Sequence, residues 1–212
     1  MYTFNQTTID KIIDAIYYRH DVYCNQKYDE HLNYSCHLKA VVNIANEYLN
    51  NITNIDKYDN EFNIKQIIVV AAAAHDIIED ARMTYNDVVK FITKYLCEDE
   101  NIDKEICNKF ATNVADIVYA VTDEKGKNRS ERHNYYYWKL LLKTKYASFI
   151  KICDRFANFK YSINTNNNKM VNVYITELQQ FIYYVLTSVD FSSGLIEESK
   201  ILSDLIKYSS DF

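Results

Sequence analysis

Apolar residues recur at helical spacing along almost the entire chain. Their period predicts a first helix that ends near residue 24 and a second helix that begins near His37. The most apolar segment, residues 64–80, predicts a third helix, and its four consecutive alanines at 71–74 leave room for neighbouring helices to approach closely. We therefore expect this third helix at the centre of a helical bundle.

The rest of the chain continues the same pattern between polar loops. Thr84 and Asp87 have the spacing of a capping box, which predicts that a helix starts there. Further helices are predicted over residues 103–121, from residue 130 onwards, and over 147–162, 171–189 and 195–206. We expect one all-α domain over residues 1–212, with residues 166–212 completing the bundle.

The composition supports helices and limits the partners. Proline is absent and glycine occurs only twice among 212 residues, which disfavours turn-rich β architectures. The 24 basic and 29 acidic residues give a net charge of −5, so the chain has no overall field that attracts nucleic acid. A small anionic ligand would need a local basic pocket.

Membrane and secretory segments are not expected. The longest unbroken apolar stretch, Ile67–Ala74, is far shorter than the roughly 20 residues of a membrane span. The N-terminus lacks the basic start and apolar run of a secretory signal. The five cysteines are odd in number and form no C-x-x-C pair, which favours reduced thiols over disulfides or a cysteine zinc site. These features predict a cytoplasmic protein.

The segment His75–Asp80, which reads His-Asp-Ile-Ile-Glu-Asp, combines two types of metal ligand with two further carboxylates. In a continuous helix Glu79 would lie on the face of His75, and Asp80 on the face of Asp76. This arrangement indicates a metal-dependent hydrolase. The simpler interpretation is a buried histidine that is hydrogen-bonded by a neighbouring carboxylate.

His37 and Asp154 supply the remaining candidate ligands. With His75 and Asp76 they form a set of two imidazoles and two carboxylates, which suits a divalent transition ion such as Mn, Fe or Zn and leaves coordination positions open for water. The apolar neighbours of Asp154 predict a buried helix, where a metal would relieve an otherwise costly carboxylate. A surface ion pair with Arg155 is the alternative. The other histidines lie in polar surroundings and are predicted to be solvated: His20, His31 and His133.

Four separated motifs give the chain a resemblance to a known family. They are Tyr34–His37, His75–Asp80, Val121–Lys125 followed by Glu131–Arg132, and Lys151–Asn158. With them the chain resembles the (p)ppGpp hydrolase domain of RelA/SpoT-type enzymes, and above all the small standalone alarmone hydrolases such as the metazoan SpoT homologue. A His-Asp pair alone would mark only the broad HD superfamily, whereas H-D-x-x-E-D together with D-R-x-x-N is typical of the alarmone branch.

The resemblance implies an all-α HD-domain bundle and a role in the stringent response. The implied activity is the removal of the 3′-pyrophosphate from guanosine tetra- or pentaphosphate with a divalent metal, Mn²⁺, as cofactor. The implied partner is a small nucleotide rather than nucleic acid or a membrane, and a homo-oligomer is compatible with the sequence.

Phosphoryl chemistry assigns roles to the polar residues around these motifs. Glu79 and Asp80 are the candidate catalytic residues, as general base and as the group that orients the attacking water. Positive and polar groups must hold the phosphates, and the candidate substrate contacts are Lys27, Lys125, Lys151, Arg155 and Asn158, with Arg132 as a weaker one. The run Tyr135–Trp138 could stack a base, although aromatic runs on helices more often belong to the core.

The loop before the first metal histidine departs from the family pattern and keeps other functions open. In the family this loop is rich in Arg and Lys, contains a Gly and ends in Pro-Tyr-x-x-His-Pro, whereas here residues 25–34 offer only Lys27 and Leu38 follows the histidine. An HD-type nucleotidase, or a deoxynucleotide or NADPH phosphohydrolase, is therefore a second hypothesis. The third is a catalytically idle nucleotide-binding or purely structural bundle, against which the Glu79–Asp80 pair argues.

Overall fold

The described part of the protein is built from helices, as the apolar periodicity of the sequence predicts. The computed structural model describes residues 1–59, 61–100, 102–123, 125–187 and 193–210. Within these ranges it contains no β-strand, only two isolated bridges, and the predicted all-α bundle is confirmed. Glu124 of the third motif and the predicted helix end at residues 188–189 lie outside the described residues.

Eleven α-helices follow one another along the described parts of the chain, and two irregular helical segments lie between them. A π-helical segment, Arg19–Tyr23, continues the first helix to about its predicted end, and Ile55–Tyr58 forms a 3₁₀ turn. In chain order the α-helices are α1 Gln6–Tyr18, α2 Ser35–Leu49, α3 Ile64–Ala74, α4 Tyr85–Glu100, α5 Lys104–Val121, α6 Arg129–Arg132, α7 Tyr135–Lys143, α8 Ala147–Asn164, α9 Asn168–Thr187, α10 Ser193–Ser199 and α11 Ile201–Ser209.

Polar side chains fix where several of these helices begin. The predicted capping box is present, because Thr84 Oγ1 accepts from the amide of Asp87 at 3.2 Å and Asp87 Oδ2 accepts from the amide of Thr84 at 3.0 Å. Asn63 caps α3 in a similar way. Two predicted helices are wrong because each is divided in the structure. The helix from residue 130 onwards is divided into α6 and α7 by the extended backbone of Asn134. Residues 195–206 are divided into α10 and α11, since Lys200 has a left-handed φ of 64° that an α-helix cannot contain.

Helix α3 lies at the centre of the bundle, as predicted. It packs against α1, α2, α5 and α8, and every residue in it except Lys65 is buried. The four alanines at 71–74 have no exposed surface. Because alanine adds little bulk beyond its backbone, the surrounding helices approach α3 closely at the end that leads into the candidate site.

The C-terminal boundary of the third helix differs from the prediction, because α3 ends at Ala74 and residues 75–80 form turns. His75 Nδ1 donates a hydrogen bond to the carbonyl of Ala72 at 2.9 Å. In a continuing helix that carbonyl would accept from the amide of Asp76. The imidazole thus replaces a backbone bond, and the chain turns away at the first candidate ligand pair.

The C-terminal helices pack onto the same framework. Helix α9 contacts α8, and α10 and α11 both contact α8, with α10 also reaching α2. Among the described helices, none is both long enough and apolar enough to cross a membrane.

Candidate metal centre

Donor atoms from three helical elements converge at one buried point. His37 comes from the first turn of α2, His75 and Asp76 from the end of α3, and Asp154 from the middle of α8. The two histidine Nε2 atoms are 3.2 Å apart, and Asp154 Oδ1 lies 3.3 Å from Nε2 of His37 and 3.7 Å from Nε2 of His75. Asp76 Oδ2 lies 2.8 Å from Nε2 of His75 and 3.6 Å from Nε2 of His37. The structure therefore brings together all four predicted metal ligands.

The spacing and chemistry of these atoms fit a divalent ion. Two ligand atoms that each lie about 2.1 Å from one ion are separated by about 3.0 to 3.4 Å at octahedral or tetrahedral angles, close to the separations found here. The hydrogen bond from His75 Nδ1 to the Ala72 carbonyl places a ring proton on Nδ1 and directs Nε2 toward the other candidate ligand atoms. A carbonyl that orients a histidine in this way is a regular feature of metal sites.

Electrostatics at this point favour positive charge. Burial alone would lower the pKa of His75, but Asp76 and Asp154 outweigh it and raise that pKa well above its usual value. Burial would likewise raise the pKa of Asp154, yet His37, His75 and Lys151 hold it well below its usual range. The carboxylates thus stay ionised beside imidazole rings that hold their protons in the metal-free protein, and a divalent cation bound by all four side chains would take the place of those protons.

Tyrosine hydroxyls from the segment before α2 hold the two candidate ligand carboxylates. Tyr34 donates to Asp76 Oδ2 at 2.6 Å. Tyr28 donates to Asn158 Oδ1 at 2.8 Å, and Asn158 Nδ2 in turn donates to Asp154 Oδ1 at 2.6 Å. The Tyr28 ring also stacks on His37, with ring centroids 4.9 Å apart and planes inclined by 16°. Residues 25–34 therefore support the site by orienting its ligands.

Glu79 and Asp80, the candidate catalytic carboxylates, line a cleft beside these ligands. Helical spacing does not set the position of Glu79, because α3 ends before it; instead its Oε1 accepts from the backbone amide of Asp123 at 2.6 Å. Although part of Glu79 remains in contact with solvent, loss of water in the cleft raises its pKa to about 7, helped by the charge of Asp76 and opposed by Lys151. A carboxyl with this pKa exchanges protons near neutral pH.

The cleft has a volume of about 210 Å³ and is strongly polar. Its lining includes five carboxylates and four lysine or arginine side chains, so a bound dication would make its total charge positive. The residues that line it are Tyr34, His37, Asp76, Glu79, Asp80, Asp123, Arg129, Arg132, His133, Lys151, Asp154, Arg155, Asn158 and Tyr174.

Two of the predicted substrate-binding cations lie in the cleft wall and are buried. Lys151 Nζ donates to the carbonyl of Val121 at 3.3 Å and lies 3.6 Å from Asp154 Oδ2. Burial alone would lower its pKa, but its surroundings, Asp154 among them, raise it. Arg155 pairs through one terminal nitrogen with Glu177, and its Nε and Nη2 are buried without a hydrogen-bond partner among the described residues. Arg155 therefore retains donor capacity at the cleft.

Three other predicted contacts are placed differently. Lys27 is exposed, donates to Asn33 Oδ1 at 2.5 Å and does not line the cleft. Lys125 is also exposed and outside the lining. Asn158 does line the cleft, but its side chain bonds to Asp154 and Tyr28. These three substrate contacts stay predictions.

Several residues of the cleft were not predicted to act there. His133, expected to be solvated, has only 6 % of its side chain exposed and lies 3.0 Å from Asp123 Oδ1. Arg129 joins the cleft wall and pairs with Glu177, which bridges it to Arg155. The signal for Asp123 was its place in the third motif; the positions of His133 and Arg129 depend on tertiary contacts that helical periodicity cannot encode.

Of the two remaining histidines, one is buried and one is exposed, although both were predicted to be solvated. His20, also expected to be solvated, is fully buried, with its Nδ1 2.7 Å from Oε1 of Gln26 and its ring stacked on Tyr34. Burial lowers its pKa, so the neutral ring belongs to the packing beneath Tyr34. His31 is exposed, as predicted.

Fold and site together define an all-α protein with a buried group of histidine and aspartate side chains that could hold a metal ion. No protein-family model and no curated protein matches the chain. Function must therefore be argued from the site itself.

Proposed function

We propose that the protein is a metal-dependent phosphohydrolase. The observation that carries this proposal is the convergence of His37, His75, Asp76 and Asp154 beside two further carboxylates and four cationic side chains in one cleft. A purely structural bundle has no need to bring His37, His75 and Asp154 together at a buried point, because burying charges is costly unless they are paired or bind an ion.

The reaction class follows from what the side chains of the cleft can do. A divalent ion, when bound, supplies positive charge and acidifies a water molecule. Glu79 accepts a proton from the attacking water, whose oxygen forms the new bond to phosphorus, and the proton passes to the leaving oxygen as the old P–O bond breaks. Lys151 and Arg155 balance the charge of the phosphate oxygens. Asp80 orients the water.

Within this class we propose guanosine-3′,5′-bis(diphosphate) 3′-pyrophosphohydrolase activity with Mn²⁺ as the ion. The support is the set of four motifs that resembles the RelA/SpoT-type hydrolases, an HD family, and the presence in one cleft of residues from all four. We place this alarmone hydrolase in the cytoplasm, which agrees with the free state of its cysteines.

A second candidate is an HD-type phosphohydrolase that acts on another nucleotide, including deoxynucleotides and NADPH. The specific observation in its favour is that Lys27, which stands where the family loop is basic, points its amine to Asn33 and lies outside the cleft lining. The chemistry at the ion would be unchanged, while the rest of the substrate would differ.

A nucleotide panel tests the proposal. The purified protein is incubated with Mn²⁺ and with guanosine tetraphosphate, ordinary nucleoside triphosphates, deoxynucleotides or NADPH, and the released phosphates are identified by ion chromatography. Pyrophosphate from guanosine tetraphosphate supports the first candidate, and orthophosphate or triphosphate from the other substrates supports the second. Stabilisation by a nucleotide without turnover of any of them would contradict the enzyme proposal.

Variants separate catalysis from metal binding. Asp80→Asn should abolish turnover while the Mn²⁺ content stays near that of the wild type, and Asp154→Asn should lose the metal. Asp14→Asn, at an exposed acid on α1, is the matched control and should keep both. Loss of Mn²⁺ from Asp80→Asn would show that Asp80 is a ligand and that its assigned role is wrong.

A further inference from the structure

A second cavity of about 510 Å³ adjoins the metal cleft and shares His133 with it as a common wall. It lies between α7 and α9, with one side formed by the start of α7 and the other by the second half of α9. The residues that line it are His133, Trp138, Thr176, Gln179, Gln180, Tyr183 and Tyr184.

The lining of this cavity differs in kind from that of the cleft. Among the residues that the structure describes, its lining contains no lysine, arginine, aspartate or glutamate, whereas the lining of the cleft contains nine such side chains. Four of its residues, at positions 176, 179, 180 and 183, have the spacing of one face of α9. Two of these are glutamines, whose amides can each donate and accept hydrogen bonds. The cavity therefore suits an uncharged group with a polar edge.

Aromatic rings form the opposite wall and part of the rim. Trp138 is 97 % buried as a residue and stacks on Tyr184, with ring centroids 4.4 Å apart and planes inclined by 18°. Tyr183 has 64 % of its surface exposed at the rim, and the His133 ring stacks on Tyr137 behind the wall. The Trp138 ring is therefore covered by Tyr184, and the exposed ring of Tyr183 beside the glutamine amides is the surface suited to a planar heterocycle.

Polar contacts connect this cavity to the candidate metal ligands. His133 Nε2 lies 3.0 Å from Asp123 Oδ1, the same oxygen lies 3.9 Å from Lys151 Nζ, and Lys151 Nζ lies 3.6 Å from Asp154 Oδ2. Three consecutive contacts thus join the wall of the cavity to a ligand carboxylate. A molecule with a charged end at the ion can place an uncharged end beyond His133.

We propose that this cavity binds the nucleobase of the substrate, while the cleft binds its phosphates. The inference rests on the proposed function and extends it, because it assigns the substrate to compounds with a planar heterocycle beside the phosphoryl group. The base stacks on the exposed ring of Tyr183, close to Trp138, and its edge is read by Gln179 and Gln180. Sugar phosphates without a base and inorganic polyphosphates would leave the cavity empty and bind only through the cleft.

The single tryptophan of the chain makes the test direct, because Trp138 lies in the cavity wall. Guanosine and adenosine, which carry no phosphate and cannot be hydrolysed, are titrated into the full-length protein with and without Mn²⁺, and tryptophan fluorescence is recorded. We expect saturable quenching by a nucleoside with either form of the protein, and none by ribose 5-phosphate at the same concentrations.

Variants at exposed positions locate the binding. The double variant Gln180→Ala/Tyr183→Ala should weaken nucleoside binding about tenfold, since stacking and edge contacts to one base are worth about 1–3 kcal/mol. Tyr18→Ala, which removes a tyrosine of similar exposure on α1, should leave the affinity unchanged. Absence of saturable quenching, equal quenching by ribose 5-phosphate, or equal affinity in the double variant would overturn the inference.

This design separates the inference from the proposed function. Nucleoside binding is measured without turnover, so a protein that hydrolyses nucleotides but fails the fluorescence test loses only the assignment of the base site. A protein that binds nucleosides at this cavity but hydrolyses nothing in the nucleotide panel keeps the base site and loses the proposed activity.

Discussion

Asn158 joins the ligand carboxylate of α8 to the loop that precedes α2. Its amide donates to Asp154 Oδ1, the oxygen that faces both histidines, and its carbonyl accepts from the hydroxyl of Tyr28. A hydrogen bond of this kind fixes the direction of a carboxylate lone pair toward an ion. The side chain that the sequence suggested as a substrate contact thus also positions a candidate metal ligand.

We predict that Asn158→Ala weakens Mn²⁺ binding by about 10- to 100-fold, the range found when groups that orient ligands are removed. Binding is measured by titration calorimetry on the purified protein. Asn43→Ala, at an exposed position on α2, is the matched control and should bind as the wild type does. Unchanged affinity in Asn158→Ala would leave this residue only its predicted role toward substrate.

Glu79 gives the metal-free protein a characteristic pH dependence. Its pKa is raised from 4.5 to about 7 in the folded protein, chiefly by loss of water. Between these values the folded protein binds the proton more tightly than the unfolded chain does, so the contribution of Glu79 to stability falls as pH rises through this window.

We predict that Glu79→Gln removes this contribution, because glutamine does not titrate. Relative to the wild type, the variant should gain stability steadily between about pH 5 and about pH 7 and keep a constant difference above that range. Urea unfolding of both proteins in the presence of a chelator measures the difference at each pH. A difference that does not vary with pH would contradict the raised pKa of Glu79.

At the scale of elements, the sequence predicts most helices because their apolar periods and caps are local. The apolar period predicted that α3 lies at the centre of the bundle, and the capping box of Thr84 and Asp87 predicted the start of α4. The end of α3 was not predicted, because the apolar spacing continues past Ala74. That spacing does not record that the ring of His75 bonds to the carbonyl of Ala72. Where partners are distant in the chain, as for Tyr28 and Asn158, no local pattern contains the contact.

The capping box provides a prediction for α4. Thr84→Ala removes the oxygen that accepts from the amide of Asp87 and the donor to its carboxylate, so the free energy of unfolding should fall by about 1 kcal/mol. Chemical denaturation measures it. Thr112→Ala is the control, since that hydroxyl donates to a carbonyl of its own helix, and it should change stability by less than about 0.5 kcal/mol. Equal losses of unfolding free energy in the two variants would show that the capping box adds no specific stabilisation to α4.

At the scale of the whole molecule, the candidate site joins elements that are far apart in the chain. His37 lies in the first turn of α2, His75 follows α3 and Asp154 lies within α8. Both α2 and α8 pack directly on α3. An ion held by all three would act as a cross-link across the centre of the bundle. Because the unfolded chain does not keep these ligands together, binding energy becomes folding energy.

We therefore predict that Mn²⁺ stabilises the wild-type protein against heat. At a free concentration of about 100 times the dissociation constant the gain is about 2.7 kcal/mol, which corresponds to a rise in Tm of about 5–10 °C for a domain of this size. Calorimetry with Mn²⁺ and with a chelator measures the rise. His37→Gln should abolish most of it, because one ligand from α2 is lost, while His31→Gln, at an exposed histidine, should retain it. An equal rise in both variants would mean that the ion binds elsewhere on the protein.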